Sequence, residues 1–300
     1  MKTSVIIPSY DPTKKLSVTL ESLKEQFSFI DELIVIVDND IYGDFLKSLE
    51  EKYSPVINIK IFPQANAGRA RSRNRGVELS TGDLIIFLDD DMLVEGRLIE
   101  KHISYHSKNK GVIVSGNGYR NPIDATSHFG KFLIEMENGW KEQSPEIGEI
   151  TFKAFNFTAC NMSLPKICFE QLNGFDPRFK DGEDFDFAVR AINSGIPILY
   201  DRSLLAWHND WPEIDTFIRR QNEYTSAKNE IAKAHPKYLK HFPNLITSQA
   251  NSGKKFLASI VRGTIAKSVI AKNRIFEALP LSIKFIFYRL VISSYSSINR

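Results

Sequence analysis

Asp83-Leu84-Ile85-Ile86-Phe87-Leu88-Asp89-Asp90-Asp91-Met92, or DLIIFLDDDM, runs from five consecutive apolar residues straight into three adjacent carboxylates. An apolar run this short reads as a strand buried on both faces. Three acids at its end repel and raise one another's pKa, so a fold that gathers them supplies a cation or a catalytic use.

The residues before this stretch alternate strand and helix. Ser4 to Ile7 is a short apolar strand. Asp11-Pro12 offers an N-cap with Pro at the first helical position, and Leu16, Leu20, Leu23 and Phe27 follow at helical spacing. Glu32 to Val37 reads as a buried strand, Tyr42 to Tyr53 as a helix, Ile57 to Ile61 as a third strand and Asn66 to Leu79 as a helix. Such repetition predicts an α/β fold, a mostly parallel central sheet with helices on both faces, and ligands at the carboxyl ends of the strands. Asp38 and the Asp89-Asp90-Asp91 run both fall there.

The loop after the first strand, PSYDPTK, contains no glycine, so neither GxGxxG nor GxxxxGK[ST] is present. Phosphates bound here need another source of positive charge. A divalent cation held between Asp oxygens and diphosphate oxygens provides it. In an extended chain Asp89 and Asp91 share one side and Asp90 takes the other.

SVIIPSYD, IVDND, NAGRARSRNRG, FLDDDM, NMSLPKICFEQLNGFD and GEDFDFAVR, in this order and spacing, resemble the family 2 glycosyltransferases of GT-A fold. The resemblance covers roughly residues 3 to 210, and the joint occurrence of six motifs makes it specific. It implies an inverting, metal-dependent, non-processive enzyme: the QxxRW motif of processive synthases is absent. It also implies a catalytic domain over residues 1–214, with a nucleotide-sugar-binding half (1–110) and an acceptor-binding half (111–214). Residues 215–300 then form a helical, basic amphipathic C-terminal region.

The same resemblance assigns roles. Pro8, Tyr10, Asp38, Asn66, Gly68, Arg73, Asp89 and Asp90 are expected to bind the nucleotide sugar, with Asp38 on the base and Asp90 on the ribose. Asp38 read on its own could instead cap a helix or turn. Asp91, Asp89 and His208 are the expected ligands of Mn²⁺ or Mg²⁺, which would neutralise charge on the departing diphosphate. His208 alone would more ordinarily be a surface or structural residue.

GEDFD opens a helix through Ala188, Val189 and Ile192 to Gly195, and its acids exceed what capping needs. Inverting transfer requires a carboxylate that takes the acceptor hydroxyl's proton. The family places it at Asp184, with Glu183 on acceptor hydroxyls; Asp186 and Trp207 are further acceptor-binding candidates. Gly111 to Phe157 carries little readable pattern beyond a strand suggested by Phe152, Phe155 and Phe157.

The 300 residues, 42% hydrophobic and 25% charged, suit a full-sized core. Two cysteines, Cys160 and Cys168, match no ligand spacing and read as buried thiols of a reducing compartment. No apolar window reaches a bilayer-spanning length and the N-terminus resembles no signal peptide, so a cytoplasmic protein, peripheral at most on the inner face of the membrane, is expected. The net charge of +3 conceals an asymmetry: Asp215 to Arg300 holds 15 Lys and Arg against 4 Asp and Glu, and the first 214 residues hold 24 against 32. From Lys254 onward there are 9 basic residues and 1 acid, with Leu257, Val261, Ile265 and Val269 at every fourth position. Such a segment binds an anionic membrane surface or packs on an acidic body. No nucleic-acid motif accompanies it.

The expected function is a hexosyl- or N-acetylhexosaminyltransferase that uses a UDP-sugar, alternatively a GDP- or dTDP-sugar, on a saccharide or lipid-linked saccharide acceptor in surface polysaccharide or glycolipid biosynthesis. The alternative of another class is an inactive carbohydrate-binding or scaffold protein of the same fold.

Overall fold

The computed structural model describes residues 1–142, 146–152, 157–239, 261, 266, 269 and 273–296. The chain divides into two compact units, Met1–Asn121 with Lys141–Asp210, and Pro122–Trp140 with Trp211–Arg300.

In the first unit, β1 (Thr3–Ser9), α1 (Leu16–Leu23), β2 (Glu32–Val37), α2 (Gly43–Tyr53), β3 (Ile59–Pro63), α3 (Arg69–Leu79) and β4 (Leu84–Leu88) follow the predicted alternation. Then come β5 (Met92–Val94), α4 (Leu98–Lys108), β6 (Ile113–Ser115), α5 (His128–Glu142, all but its last two residues in the second unit), β7 (Ile147–Glu149), β8 (Asn161–Pro165), α6 (Lys166–Gln171), α7 (Glu183–Asn193), β9 (Ile198–Asp201), β10 (Ala206–His208) and, in the second unit, α8 (Ile214–Ala234). The main sheet has the order β3-β2-β1-β4-β8-β6-β9-β7, and β5 pairs separately with β10. β1 runs parallel to β2 and β4, with Ile6 opposite both Ile34 and Phe87. β8 enters antiparallel beside β4, Leu88 facing Asn161.

Side chains alternate across this sheet with period two, and two cores result. Val5, Ile7, Leu33, Val35 and Val37 join Leu16 and Leu20 of α1 on one face. Ile6, Ile34, Ile36, Ile85 and Phe87 join Ala70 and Val77 of α3 and Phe187 of α7 on the other. Each such side chain, fully buried, contributes about 1.5–3 kcal/mol of transfer free energy. The helix α3 lies so close to β1 that a Cβ at Gly76 would fall 2.4 Å from Ile6 Cγ2. Arg73, three residues earlier on the same helical face, is thereby placed over the carboxyl end of β4.

Two helix starts differ from expectation. α1 begins at Leu16, because the Asp11 carboxylate bonds the Thr13 hydroxyl (2.5 Å) and pairs with Lys14 (2.9 Å) across a turn instead of capping a helix. α3 begins at Arg69, after Gly68 at φ +89, a left-handed conformation that no helical residue adopts. The strand expected from Phe152 to Phe157 falls largely on residues 153–156, outside the described residues, and neither Phe152 nor Phe157 is in a strand.

Behind the sheet, α4 and β8 share a buried polar chain. Asn161 Nδ2 donates to the carbonyls of Asn117 and Leu204, both at 3.0 Å, so its Oδ1 is left to accept from His102 Nε2 at 2.9 Å. His102 Nδ1 then accepts from the Ser163 hydroxyl (2.8 Å), which in turn accepts from His106 Nε2 (2.7 Å).

The second unit has its own core, where Phe129, Phe132 and Leu133 of α5 meet Ile214, Phe217 and Ile218 of α8 with Phe276, Tyr288 and Val291. Tyr288 and Val291 belong to a helix from Leu281 to Ser296. On its outer side Ile283, Ile286 and Leu290 are exposed. Most of the predicted periodic stretch Leu257–Val269 lies outside the described residues; within it, Val261 and Val269 are buried. No helix among the described residues is long and apolar enough to cross a membrane.

Candidate active site

The carboxyl ends of β1, β2 and β4 converge with the start of α7. The segment Asp89-Asp90-Asp91 is a turn, not the extended chain expected from sequence, so its side chains do not simply alternate. Each acid finds a different partner. Asp89 Oδ1 accepts from Arg73 Nη2 (2.6 Å), Asp90 Oδ2 accepts from the Ser9 hydroxyl (2.5 Å), and Asp91 pairs with His208 and Lys15. Burial, with Asp91 and Asp89 beside it, pushes the Asp90 carboxyl up to about 7 against the hydrogen bond from Ser9. Burial would also raise Asp91, but His208 and Lys15 outweigh it and hold that carboxyl well below the usual range.

Arg73 is the pivot. Its guanidinium is 3% exposed, donates through Nη1 to Glu183 Oε1 at 2.6 Å and lies over the Phe175 ring. One cation thus ties the turn after β4 to the first residue of α7. Burial would lower the Arg73 pKa, yet the two carboxylates raise it further above its ordinary value. For Glu183, burial and then the neighbouring Asp184 raise the carboxyl to about 7 against the opposing Arg73 charge. The next residue of α3, Asn74, exchanges two hydrogen bonds with the Phe175 backbone (2.8 and 2.9 Å), so this helix also fixes the loop that leads to α7.

The acids around the start of α7 divide cleanly. Asp181 pairs with Arg69 (3.2 Å), Glu183 with Arg73, and buried Asp186 with Arg190 (2.7 Å). Arg190 also holds the Leu172 and Gly174 carbonyls, so the Asp186–Arg190 pair ties α7 to the loop before it. Asp184 differs: half-buried, it accepts only the Phe185 N–H (2.8 Å) and has no ion-pair partner among the described residues.

Asp38 is buried, and its carboxylate accepts from Ala67 N (2.8 Å), Gly68 N (2.7 Å) and Gln64 Nε2 (2.7 Å). These contacts cap the loop entering α3. Pro8 is buried in β1, whereas Tyr10 just beyond it is 58% exposed and Asn66 is exposed. Trp207 Nε1 donates to Glu95 at the edge of the β5–β10 pair. His208 Nε2 lies 3.1 Å from Asp91 Oδ1; burial would lower its pKa, and the Asp91 carboxylate more than reverses this.

Three residues that sequence reasoning passed over complete the site. Ser9 holds Asp90, while Lys15 Nζ bridges Asp91 Oδ2 (3.2 Å) and Asp210 Oδ1 (2.7 Å). The available signal was the pair Lys14-Lys15 in the loop at the carboxyl end of the first strand, where an anion would bind. Among the described residues no group of three His, Cys, Asp or Glu is gathered to ligate a metal. Asp91 Oδ1, buried without an aligned hydrogen bond, and the His208 imidazole 3.1 Å away are donors of the kind that a divalent cation takes. A cleft of about 510 Å³ lies at the amino end of β4, lined by Thr81, Asp83, His106 and Lys166. None of the predicted site residues lines it.

The family model for glycosyl transferase family 2 matches residues 4–164, more than half of the chain. The chain belongs to glycosyl transferase family 2. The matched segment ends at β8, so α7 and His208 lie beyond it. Validoxylamine A glucosyltransferase from Streptomyces hygroscopicus subsp. jinggangensis is 26% identical over 275 residues, a match covering 83% of this chain and 64% of that relative's length. Among solved structures, S. aureus TarS 1–349 in complex with UDP superposes with a TM-score of 0.58 at 15% identity, covering 98% of this chain and 89% of that one. The mannosyltransferase PcManGT from Pyrobaculum calidifontis, in complex with GDP-Man and Mn²⁺, gives 0.58 at 14% identity, covering 99% and 86%. These structures share the fold, and the α/β architecture described above is that of the GT-A glycosyltransferases.

Proposed function

We infer that this member of the family transfers a sugar from a nucleoside-diphosphate sugar to a hydroxyl of a saccharide or lipid-linked saccharide, with inversion, and that Asp184 is the base. The supporting observation is the division of acids at the start of α7: Asp181, Glu183 and Asp186 each have a cation, and Asp184 has none among the described residues. A carboxylate that must accept a proton is best left without a fixed positive charge, which would lower its basicity.

In this reading the acceptor oxygen forms a bond to C1 of the sugar as the bond from C1 to the diphosphate oxygen breaks. The hydroxyl proton passes to Asp184, and the nucleoside diphosphate departs with the electron pair. Glu183, raised toward neutrality, orients acceptor hydroxyls as a donor or an acceptor of hydrogen bonds. Pro8, Tyr10, Asp38, Asn66 and Gly68 form the nucleotide end, with exposed Tyr10 offering a ring surface to the base. Asp91 and His208 would hold a divalent cation, with Asp89 behind them on Arg73. Bound there, Mn²⁺ or Mg²⁺ supplies Lewis-acid stabilisation of the leaving diphosphate.

A UDP-sugar is the first candidate donor and a GDP-sugar the second, since the two superposed transferases carry UDP and GDP-Man. The pathway that best suits such an enzyme is surface polysaccharide or glycolipid assembly. The test is release of nucleoside diphosphate from UDP-glucose, UDP-N-acetylglucosamine, GDP-mannose and dTDP-glucose, with Mn²⁺ or with EDTA. Slow hydrolysis of one donor, faster with Mn²⁺, supports the reading. Failure of every donor to bind or to turn over would instead favour a carbohydrate-binding scaffold.

A further inference from the structure

Gln64, the residue after β3, has its side-chain amide held in one orientation by its neighbours. Two acceptors face one end of it: Asp38 Oδ1 at 2.7 Å, and the Ser72 hydroxyl at 3.2 Å, whose own proton goes to the Gly68 carbonyl (3.2 Å). At the other end stands Arg75 Nη1, a donor only, 3.1 Å from Gln64 Oε1. Turning the amide over would set its carbonyl against a carboxylate and its NH₂ against a guanidinium. Nε2 is therefore the atom that meets Asp38. The backbone fixes the same corner, since the Gln64 N–H donates to the Val37 carbonyl (2.8 Å) and the Asp38 N–H to the Ser9 carbonyl (2.7 Å).

The two oxygens of Asp38 are used unequally. Oδ1 accepts from both Gln64 Nε2 and the Ala67 N–H and is full, whereas Oδ2 accepts only from the Gly68 N–H. A carboxylate has about four acceptor positions, so among the described residues one remains, on Oδ2. We propose that Gln64, locked by Arg75, is a positioning residue that holds Asp38 as an acceptor toward the nucleotide base and so selects a base with an N–H on its pairing edge. Uracil, thymine and guanine meet that condition; cytosine and adenine do not. The inference rests on the nucleotide end assigned above. Uracil N3 and guanine N1 carry a hydrogen that Oδ2 can accept, while cytosine N3 and adenine N1 present a lone pair that would face it. Asp38 is 6% exposed, so water does little to relieve such a mismatch.

The test is the affinity of the full chain for UDP and for CDP, by calorimetry with Mn²⁺, because the two share ribose and phosphates and differ only in the base. GDP and ADP form a second pair, read in the same way. Wild type should bind UDP more tightly than CDP by about tenfold or more. Gln64→Glu replaces the donated N–H by a second carboxylate, and two acids so placed share a proton. Asp38 can then offer an O–H to cytosine N3, and the ratio should narrow to about threefold or less. Gln64→Met removes the hold on Oδ1 without adding charge; it should narrow the ratio in the same direction and serves if the glutamate variant folds poorly. A purely structural glutamine would weaken both nucleotides and keep their ratio in both variants, and that result overturns the proposal. A wild type that prefers neither UDP over CDP nor GDP over ADP also overturns it. Failure of all four nucleotides to bind wild type would instead overturn the reading of this end as a nucleotide site.

Discussion

Arg73 Nη1 stands 2.6 Å from Glu183 Oε1, with both side chains no more than 3% exposed, and this buried contact joins α3 to α7. Removing one partner strands the other. Arg73→Met should destabilise the protein by about 3–5 kcal/mol, the cost of an uncompensated buried charge. Glu183 can escape by binding a proton, so the loss should be larger at pH 8 than at pH 5. Urea unfolding at the two pH values checks both the size and the sign.

Gly76 matters for the same assembly because its Cα has no room for a substituent beside Ile6. Gly76→Ala should cost about 1–3 kcal/mol through overpacking, despite the better helix propensity of alanine. The measured midpoint of thermal unfolding should fall accordingly. An unchanged or raised midpoint would mean that α3 can lift off β1 at little cost.

The chain Asn161–His102–Ser163–His106 predicts a pH dependence. Burial lowers both imidazoles to about 4, from 6.5. The unfolded chain therefore binds up to two more protons between these values, and stability is full above about pH 6.5 and falls as the pH drops toward 4. His102→Gln should flatten that slope while lowering stability at pH 7.5. Guanidinium unfolding at pH 7.5, 6 and 5 reads the slope directly.

On the helix Leu281–Ser296, exposed Ile283, Ile286 and Leu290 face away from Tyr288 and Val291. Together with the basic balance after Lys254, this surface should bind anionic vesicles. The double change Ile283→Ser with Ile286→Ser should weaken co-sedimentation with phosphatidylserine vesicles several-fold and leave donor hydrolysis intact. Equal sedimentation of variant and wild type would remove this surface from the membrane account.

The alternation of β1 to β4 was legible because β1, β2 and β4 hold continuous apolar runs, the pattern of a strand covered on both faces, and β3 shows isoleucines at alternate positions, Ile59 and Ile61 around Lys60. β2 matches its predicted span. The antiparallel strands were less visible: β6 and β7 are three residues each, too short to show a period, and their pairing depends on partners far away in sequence. Asp89, Asp91 and Arg73 could be named from their motifs, but not the ion pairs that separate them. Lys15 and Asp210 escaped notice because their meeting is set by the β5–β10 pairing and by a loop conformation. Neither leaves a periodic trace.

The division of acids at the start of α7 yields the most direct test. Asp184→Asn keeps the volume of the side chain and its capacity to accept hydrogen bonds but cannot take a proton. In the full chain with its best donor, acceptor and Mn²⁺, turnover should fall by about 10²–10⁴-fold, while calorimetric affinity for the nucleoside diphosphate with Mn²⁺ stays within twofold of wild type. Wild-type turnover by Asp184→Asn, with loss of turnover in Glu183→Gln instead, would contradict the account and move the base to the residue held by Arg73.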